Sequence, residues 1–159
     1  MATEIERKFL IPVAPDWLQD FPSEHIAQGY LAIVDGEREV RIRRKGDQTV
    51  LTVKSGSGEK RREEEIDLSA DQFKALWPLT EGARVFKTRY RVPHEGATIE
   101  ADRYERQLEG MVTAEIEFDS EEASSRFEPP AWLGTEVTGD RRYANESLAL
   151  HGPPEEEQT

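Results

Sequence analysis

Residues 38–55 read REVRIRRKGDQTVLTVKS, and the pattern in this stretch determines the predicted fold. Apolar and polar residues alternate on both sides of the KGD sequence. Alternation with a period of two is typical of a strand with one buried face, and Gly-Asp is typical of a turn. In the first predicted strand, 38–45, Arg41 and Arg43 share one face and apolar residues take the other. A second strand at 49–55 completes an antiparallel hairpin with one apolar and one charged face.

The same period recurs along most of the chain, interrupted by three segments with helix signals. One of them begins at Ser69, a residue type that caps helices, and continues with apolar residues at helical spacing. The further predicted strands are 3–11, 26–34, 61–67, 84–92, 97–105 and 112–119, and the predicted helices are 69–79, 120–127 and 141–150. Eight mostly antiparallel strands with few helices indicate a mainly β (α+β) domain, either a barrel or a sandwich. We predict one domain over residues 1–150, followed by a disordered acidic tail at 151–159.

Composition restricts the possible partners. The 159 residues carry a formal net charge of −12, and no cysteine is present. An acidic surface repels nucleic acid and anionic membranes, so we expect neither as a partner unless cations are gathered in one place.

The sequence also gives an expectation for the location of the protein. No apolar run is long enough for a transmembrane helix, and the N-terminus does not resemble a signal peptide. The lack of cysteine fits the reducing cytoplasm, which is the predicted location.

The charged residues of the predicted strands have a common parity. For one strand, a charged face usually indicates only the solvated side of an antiparallel sheet. Here the face is almost entirely charged in at least seven strands, whereas a solvated face would also use Ser, Thr and Gln. The residues on this face are Glu4, Glu6, Lys8, Arg41, Arg43, Lys54, Glu63, Glu65, Lys87, Arg89, Glu100, Asp102, Glu115 and Glu117. We therefore predict a closed eight-stranded antiparallel tunnel with a charged interior, whose apolar outside is covered by the three helices. Lys45, next to the turn, is predicted to be solvated.

Enclosed charges are costly unless they are paired or bind a ligand. Carboxylates are hard oxygen ligands for Mg²⁺ or Mn²⁺, and Arg and Lys match phosphate oxygens. A polyphosphate with divalent cations would satisfy both sets of charges. The chemistry that this interior favours is phosphoryl transfer, in which catalysis is mainly positioning and charge stabilisation.

The same motifs resemble those of a known family. EIERK at 4–8 is similar to the ExExK signature of the CYTH superfamily, the triphosphate tunnel metalloenzymes. VRIRRKG, LTVKSG, REEEI, VFKTRY, IEADRYE and EIEF resemble the later strands of that family in the same order. GYLAI at 29–33 and TGDRRYANESLAL near the end resemble its short bacterial inorganic triphosphatase branch. The resemblance extends from residue 3 to about residue 150.

The resemblance implies a role for each charged position. Members of the family bind triphosphate and a divalent metal in an eight-stranded tunnel, and in some members a late helix plugs one end. The resemblance assigns phosphate binding to Lys8, Arg41, Arg43, Lys54, Lys87 and Arg89, orientation of cations or water to Glu63 and Glu65, and metal binding to Glu4, Glu6, Glu115, Glu117 and Asp102. For Glu63, Glu65, Glu100 and Glu115, a role as counter-charge to a neighbouring cation is an equal alternative.

The expected reaction is hydrolysis of inorganic tripolyphosphate to pyrophosphate and phosphate with Mg²⁺ or Mn²⁺. Class IV adenylyl cyclase and thiamine triphosphatase activities fit the same tunnel. A polyphosphate-binding module without turnover is the alternative from another functional class. The expected partner is a small polyphosphate, and the resemblance makes a homodimer possible.

Overall fold

The computed structural model describes residues 5–34, 38–56 and 62–155, which form one antiparallel sheet with three short helices. Its strands are β1 (Ile5–Leu10), β2 (Ser23–Val34), β3 (Arg38–Lys45), β4 (Gln48–Ser55), β5 (Arg62–Asp67), β6 (Arg84–His94), β7 (Ala97–Tyr104) and β8 (Val112–Phe118). Its helices are α1 (Ala70–Leu76), α2 (Glu121–Arg126) and α3 (Asn145–His151), with 3-10 turns at Asp16–Asp20, Trp77–Thr80, Arg106–Leu108 and Arg141–Tyr143. Every predicted strand and helix is present.

Several predictions fall on residues outside the described ranges. They concern Glu4, the turn at 35–37, part of the connection between β4 and β5, and the last residues of the tail. Within the described ranges, β2 begins three residues earlier than predicted, because Ser23 and Glu24 pair with β6 opposite Tyr90 and Arg89. No helix in the described ranges is long and apolar enough to cross a membrane.

The strand order in the sheet is β1-β8-β7-β6-β2-β3-β4-β5, and each neighbouring pair is antiparallel. β1 and β5 are the two edges of this order. Among the described residues, no backbone pairing joins these two edges. The predicted mainly β fold of eight antiparallel strands is therefore present, as a sheet that hydrogen bonds between the described residues do not close.

The edge of β1 is covered by a segment that we call the strap, residues 134–138. The amide of Gly134 donates to the carbonyl of Leu10 at 2.7 Å, and that of Val137 donates to the carbonyl of Lys8 at 2.8 Å. The Leu10 amide in turn donates to the carbonyl of Thr135 at 2.9 Å. The strap thus satisfies backbone groups that an edge strand leaves unpaired. It was not predicted, since GTEVT is too short to show a period of its own.

The outer face of β1, β8, β7 and β6 carries the larger apolar core. Ile99, Ala101 and Ile116 are fully buried there beneath the turn at Asp16–Asp20, α2 and the residues that follow α2. Arg7 connects this covering to β1: its guanidinium donates to the carbonyl oxygens at the end of α2 and pairs with the strap. The charged strands of this half of the sheet are therefore held from outside by a packed apolar layer.

The outer face of the other half is more open. α1 begins at Ser69 with a reciprocal capping box and places Phe73 against the sheet, stacked on Trp77. The following 3-10 turn approaches β2 so closely that a Cβ at Gly29 would lie 2.5 Å from Thr80. Farther along β5, by contrast, Ile66 is 58% exposed.

The third helix lies on the opposite face from the one predicted. α1 and α2 cover the outer face, whereas Leu148 and Ala149 of α3 pack against Tyr30, Val85 and Tyr104 on the inner face. The prediction that all three helices cover the outside is wrong for α3. At this end of the inner face the side chains are apolar or aromatic instead of charged, and the apolar side of α3 packs against them. This placement agrees with the plugging helix that the resemblance implied.

Candidate functional site

The strand registers place every described residue of the predicted charged set on one face of the sheet. Glu6 lies opposite Glu117 and Lys8 lies opposite Glu115 across β1 and β8. The same alternation continues through the other pairs, from Arg89 opposite Asp102 to Lys54 opposite Glu63. The residues brought together on this inner face are Glu6, Lys8, Arg41, Arg43, Lys54, Glu63, Glu65, Lys87, Arg89, Glu100, Asp102, Glu115 and Glu117.

Asp102 is the most deeply buried acid of this face, with 0% exposure. One of its oxygens accepts from Lys87 Nζ at 2.8 Å, and Arg89 binds both oxygens at 2.8 and 2.9 Å. Burial alone would raise the pKa of Asp102, but the charges of Lys87 and Arg89 outweigh burial and hold it below the ordinary range. Both oxygens are therefore occupied by cations, which makes Asp102 a counter-ion that orients Lys87 and Arg89 in this structure.

Lys87 differs from an ordinary surface lysine. Burial lowers its pKa to about 8, although the charge of Asp102 opposes the shift. Its ammonium also lies 3.5 Å from Asn145 Oδ1 at the start of α3. Lys87 is thus held between the sheet and the helix, with a protonation equilibrium near neutral pH.

Arg41, Arg43 and Arg89 converge near the centre of the inner face, where we call them the arginine cluster, and the charge of Arg43 is not fully compensated. Burial lowers the pKa of Arg43, and the positive charges of Arg41 and Arg89 lower it further. The buried Nε atoms of Arg41 and Arg43 have no hydrogen-bond partner within the described part of the chain. Buried donors are normally paired, so this arrangement indicates a place for an anionic ligand.

A group of carboxylates lies on the β1 and β8 side. Burial raises the pKa of Glu6, and the negative charge of Glu115 raises it further, although Lys54 and Lys8 oppose both effects. Glu6 also faces Glu117 directly across the strand pair, and like charges in that position repel one another. The influence of Lys54 on Glu6 shows that the sheet curls, since β4 and β1 lie near opposite ends of the strand order.

The carboxylates have cationic neighbours but do not form a compact metal centre in this structure. Lys8 lies 3.4 Å from Glu115, and Lys54 lies 3.7 Å from Glu63. Burial would raise the pKa of Glu115, but Lys8 and Lys87 lower it overall. In the ranges that the structure describes, no three His, Cys, Asp or Glu residues converge closely enough to hold a metal ion. Glu4, the first acid of the motif, lies outside those ranges.

The α3 end of the inner face contains functional candidates that the sequence analysis did not identify. Lys8 Nζ donates to the carbonyl of Tyr143 at 2.5 Å. Asn145 Oδ1 accepts from the hydroxyl of Tyr104 at 3.0 Å as well as from Lys87. Near them, Tyr30 accepts from Gln28 Nε2 at 2.8 Å while fully enclosed. The polar Gln28 within the apolar β2 was the available signal, whereas Asn145 becomes recognisable only when α3 is placed on the inner face.

Comparisons with known proteins agree with this architecture. The CYTH domain model matches residues 2–146. The inorganic triphosphatase of Nitrosomonas europaea is 44% identical over 153 residues, covering 95% of this chain and 99% of that protein. The inorganic triphosphatase of Acetivibrio thermocellus is 38% identical over 151 residues, covering 93% and 94%.

Solved structures give the same result for the fold. The crystal structure of an inorganic triphosphatase superposes with a TM-score of 0.75 at 42% identity, covering 97% of this chain and 99% of that one. The structure of a putative adenylate cyclase from Bacillus halodurans superposes with a TM-score of 0.58 at 20% identity, covering 77% and 84%, and shares the fold alone. With a family model that spans nearly its whole length, this chain belongs to the CYTH domain family.

Proposed function

We propose that this protein is a hydrolase that cleaves inorganic tripolyphosphate to pyrophosphate and phosphate with the help of a divalent metal. Two relatives, each aligned over more than nine tenths of this chain, carry the name inorganic triphosphatase. The observation that carries the proposal is the arginine cluster of the inner face, in which buried Nε atoms of Arg41 and Arg43 have no partner in the described part of the chain. A polyphosphate supplies the acceptor oxygens that these donors need.

The proposed phosphate ligands form two groups, arginines at the centre of the inner face and lysines at its sides. Arg41, Arg43 and Arg89 bind its oxygens from the centre of the inner face. Lys8, Lys54 and Lys87 bind them from the sides, where each also contacts a carboxylate or α3. Asp102 keeps Lys87 and Arg89 in position, so that their geometry exists before the substrate arrives. Binding releases Lys8 and Lys54 in part from Glu115 and Glu63 and directs them toward phosphate.

The carboxylates fit a hard divalent cation. Glu6 and Glu117 face each other as like charges, and burial, followed by the negative charge of Glu115, raises the pKa of Glu6 although Lys54 and Lys8 oppose the shift. Glu4, Glu6, Glu115 and Glu117 are the proposed ligands for Mg²⁺ or Mn²⁺. Asp102, also predicted as a ligand, is already bound by two cations and is assigned here to positioning. When bound, the metal supplies charge neutralisation at phosphate oxygens.

In the reaction, a water oxygen forms a bond to a terminal phosphorus as the bond from that phosphorus to its bridging oxygen breaks. The electron pair of the broken bond stays on the pyrophosphate, where the arginine cluster stabilises the developing charge, and the attacking water loses a proton to the solvent. Glu63 and Glu65 are the proposed groups that orient the water or the cations. We further propose that the curled sheet encloses the bound substrate as a tunnel, with α3 closing one end.

The first test measures phosphate release from tripolyphosphate, with ATP and thiamine triphosphate in parallel, in Mg²⁺, Mn²⁺ or EDTA. We expect metal-dependent release from tripolyphosphate, with little turnover of the other two substrates. Formation of cyclic AMP from ATP without cleavage of tripolyphosphate would instead indicate a cyclase, and preferred release from thiamine triphosphate would indicate a thiamine triphosphatase. Tight binding of polyphosphate without turnover of any substrate would indicate a binding module.

A variant separates the role of the site from that of the fold. Lys8→Ala removes a proposed phosphate ligand whose side chain lies on the inner face. We expect a folded protein with strongly reduced turnover of tripolyphosphate. Full turnover by a folded Lys8→Ala protein would show that Lys8 has no part in binding or catalysis.

A further inference from the structure

A second group of cations lies beyond the arginine cluster, on the same inner face. Glu24 Oε2 accepts from Arg91 at 3.2 Å and lies 3.7 Å from Lys45 Nζ. Two cations from different strands thus share a single carboxylate oxygen. Lys45 was predicted to be solvated, but its side chain is only 22% exposed. We call these three residues the outer cluster.

The outer cluster lies at the end of the inner face away from α3. Val85 contacts α3, and Arg91 lies six residues farther along the same face of β6. This separation corresponds to about 20 Å along an extended strand. The cluster is therefore at the end of the inner face that α3 leaves accessible, and in the described structure its side chains remain partly exposed to solvent.

The cluster continues two rows of cations that begin in the candidate active site. On β3, Arg41, Arg43 and Lys45 occupy alternate positions that face inward. On β6, Arg89 is followed by Arg91 at the same two-residue spacing. The row on β3 extends over about 13 Å, since each residue of a strand advances by about 3.3 Å. A chain of three phosphoryl groups is shorter than this row.

The charge balance at the outer cluster favours an anion. Burial lowers the pKa of Lys45, and the positive charges of Arg91 and Arg43 lower it further, against the single acid Glu24. Glu100 lies opposite Arg91 in the register, but its carboxylate is 3.1 Å from Arg89 and is engaged there. Lys45 is thus a partly buried ammonium, and the charged groups that shift its pKa are cations except for Glu24, so an additional anion would relieve the repulsion among them.

We propose that Lys45 and Arg91 form an outer phosphate subsite, which takes a fourth phosphoryl group of a linear polyphosphate whose first three occupy the candidate active site. Glu24 bridges the two cations in the absence of ligand and is displaced from them when the phosphoryl group binds. The subsite rests on the proposed function for the position of the first three groups. It makes the protein a better receptor for tetraphosphate than for tripolyphosphate, whatever their relative rates of cleavage.

The test is a calorimetric titration of the full chain with tripolyphosphate and with linear tetraphosphate in EDTA, where metal-dependent turnover does not occur. The variants are Lys45→Gln, Arg91→Gln and the double variant, and the matched control is Lys74→Gln on the exposed side of α1. Each loss of a charge-assisted contact weakens binding by about tenfold. We expect each single variant to weaken tetraphosphate binding by about that factor, with tripolyphosphate and the control almost unchanged.

Other results would overturn the subsite. Equal weakening of both ligands would show that Lys45 and Arg91 act as general attraction for anions. Unchanged binding of both ligands would show that they bind neither. Lys45→Arg keeps the charge and is expected to retain the preference for tetraphosphate, which separates loss of charge from loss of fold. Because this titration needs no catalysis, failure of the hydrolase proposal would appear only in the phosphate-release assay and would leave the comparison of the two ligands interpretable.

Discussion

The two halves of the sheet both carry buried cations on the inner face, but they differ in whether these cations are paired with acids. In the half formed by β1, β8, β7 and β6, Lys87 and Arg89 share the buried Asp102, and the outer face is a packed core around Ile99. In the half formed by β2 to β5, Arg41 and Arg43 have buried Nε atoms without partners in the described structure. The ion group around Asp102 in the first half is neutralised internally, whereas the second half has donors available for a ligand. Stability and binding are therefore expected to depend on different halves.

The largest effect is expected for the buried ion group. Asp102→Asn leaves Lys87 and Arg89 buried without their counter-ion, and breaking such a group costs about 3–5 kcal/mol of the free energy of unfolding. Urea unfolding measures this cost, with Glu100→Gln as the control because Glu100 binds the same Arg89 from a more exposed position. A loss no larger than that of the control would mean that the first half does not depend on internal neutralisation.

The next effect compares two isoleucines on the outer face. Ile99 of β7 is 0% exposed, and Ile66 of β5 is 58% exposed. Ile99→Ala creates a cavity and should cost about 2–5 kcal/mol, while Ile66→Ala should remain within about 0.5 kcal/mol of the parent protein. Thermal or urea unfolding of the two variants tests the contrast. Similar losses would show that the half containing β5 is packed as firmly as the other.

In the half formed by β2 to β5, a substitution on the inner face is expected to change the free energy of unfolding little and the activity clearly. Arg43→Gln removes a proposed phosphate ligand that neighbouring arginines repel, so it should lower kcat/KM for tripolyphosphate by about 10- to 100-fold without loss of stability. Arg44→Gln is the matched control, since Arg44 follows Arg43 in the strand and its side chain points outward over Phe73. If Arg43→Gln destabilised the protein and left kcat/KM unchanged, the arginine would be structural.

The smallest effect is expected for an exposed pair at the strap. Hydrogen bonds from Arg7 lower the pKa of Glu136, so the pair stabilises the fold above the unfolded pKa of about 4.3, and this contribution is lost as the pH falls through the folded value. At pH 7, Glu136→Gln should cost less than about 1 kcal/mol because solvent screens the pair. Urea unfolding of both proteins between pH 7 and pH 3 should show the difference shrink on acidification. A difference that stayed constant over this range would have another origin.

The sequence was sufficient to predict the faces of the strands but not the partners of their side chains. Alternation depends on local geometry alone, so the inward positions of Arg41 and Glu115 followed from period two. Whether Asp102 binds a metal or two neighbouring cations depends on the register between β6 and β7, which no single segment specifies. The position of α3 was similarly ambiguous, since an amphipathic helix has an apolar side for either face of the sheet. The strap was missed because its pairing depends on β1, far away in the chain.

The strap has a consequence for the order in which the protein folds. Lys8 hydrogen-bonds to Thr138 across a separation of 130 residues, and its strand pairs on the other side with β8. β1 is therefore synthesised before the other strands of this sheet but is among the last that can be placed, because both of its neighbours, β8 and the strap, are synthesised late. Contacts of such long sequence separation slow folding. Glu6 and Lys8 thus reach their positions only when β8 and the strap are available, and a product truncated before the strap would lack this support of β1 as well as α3.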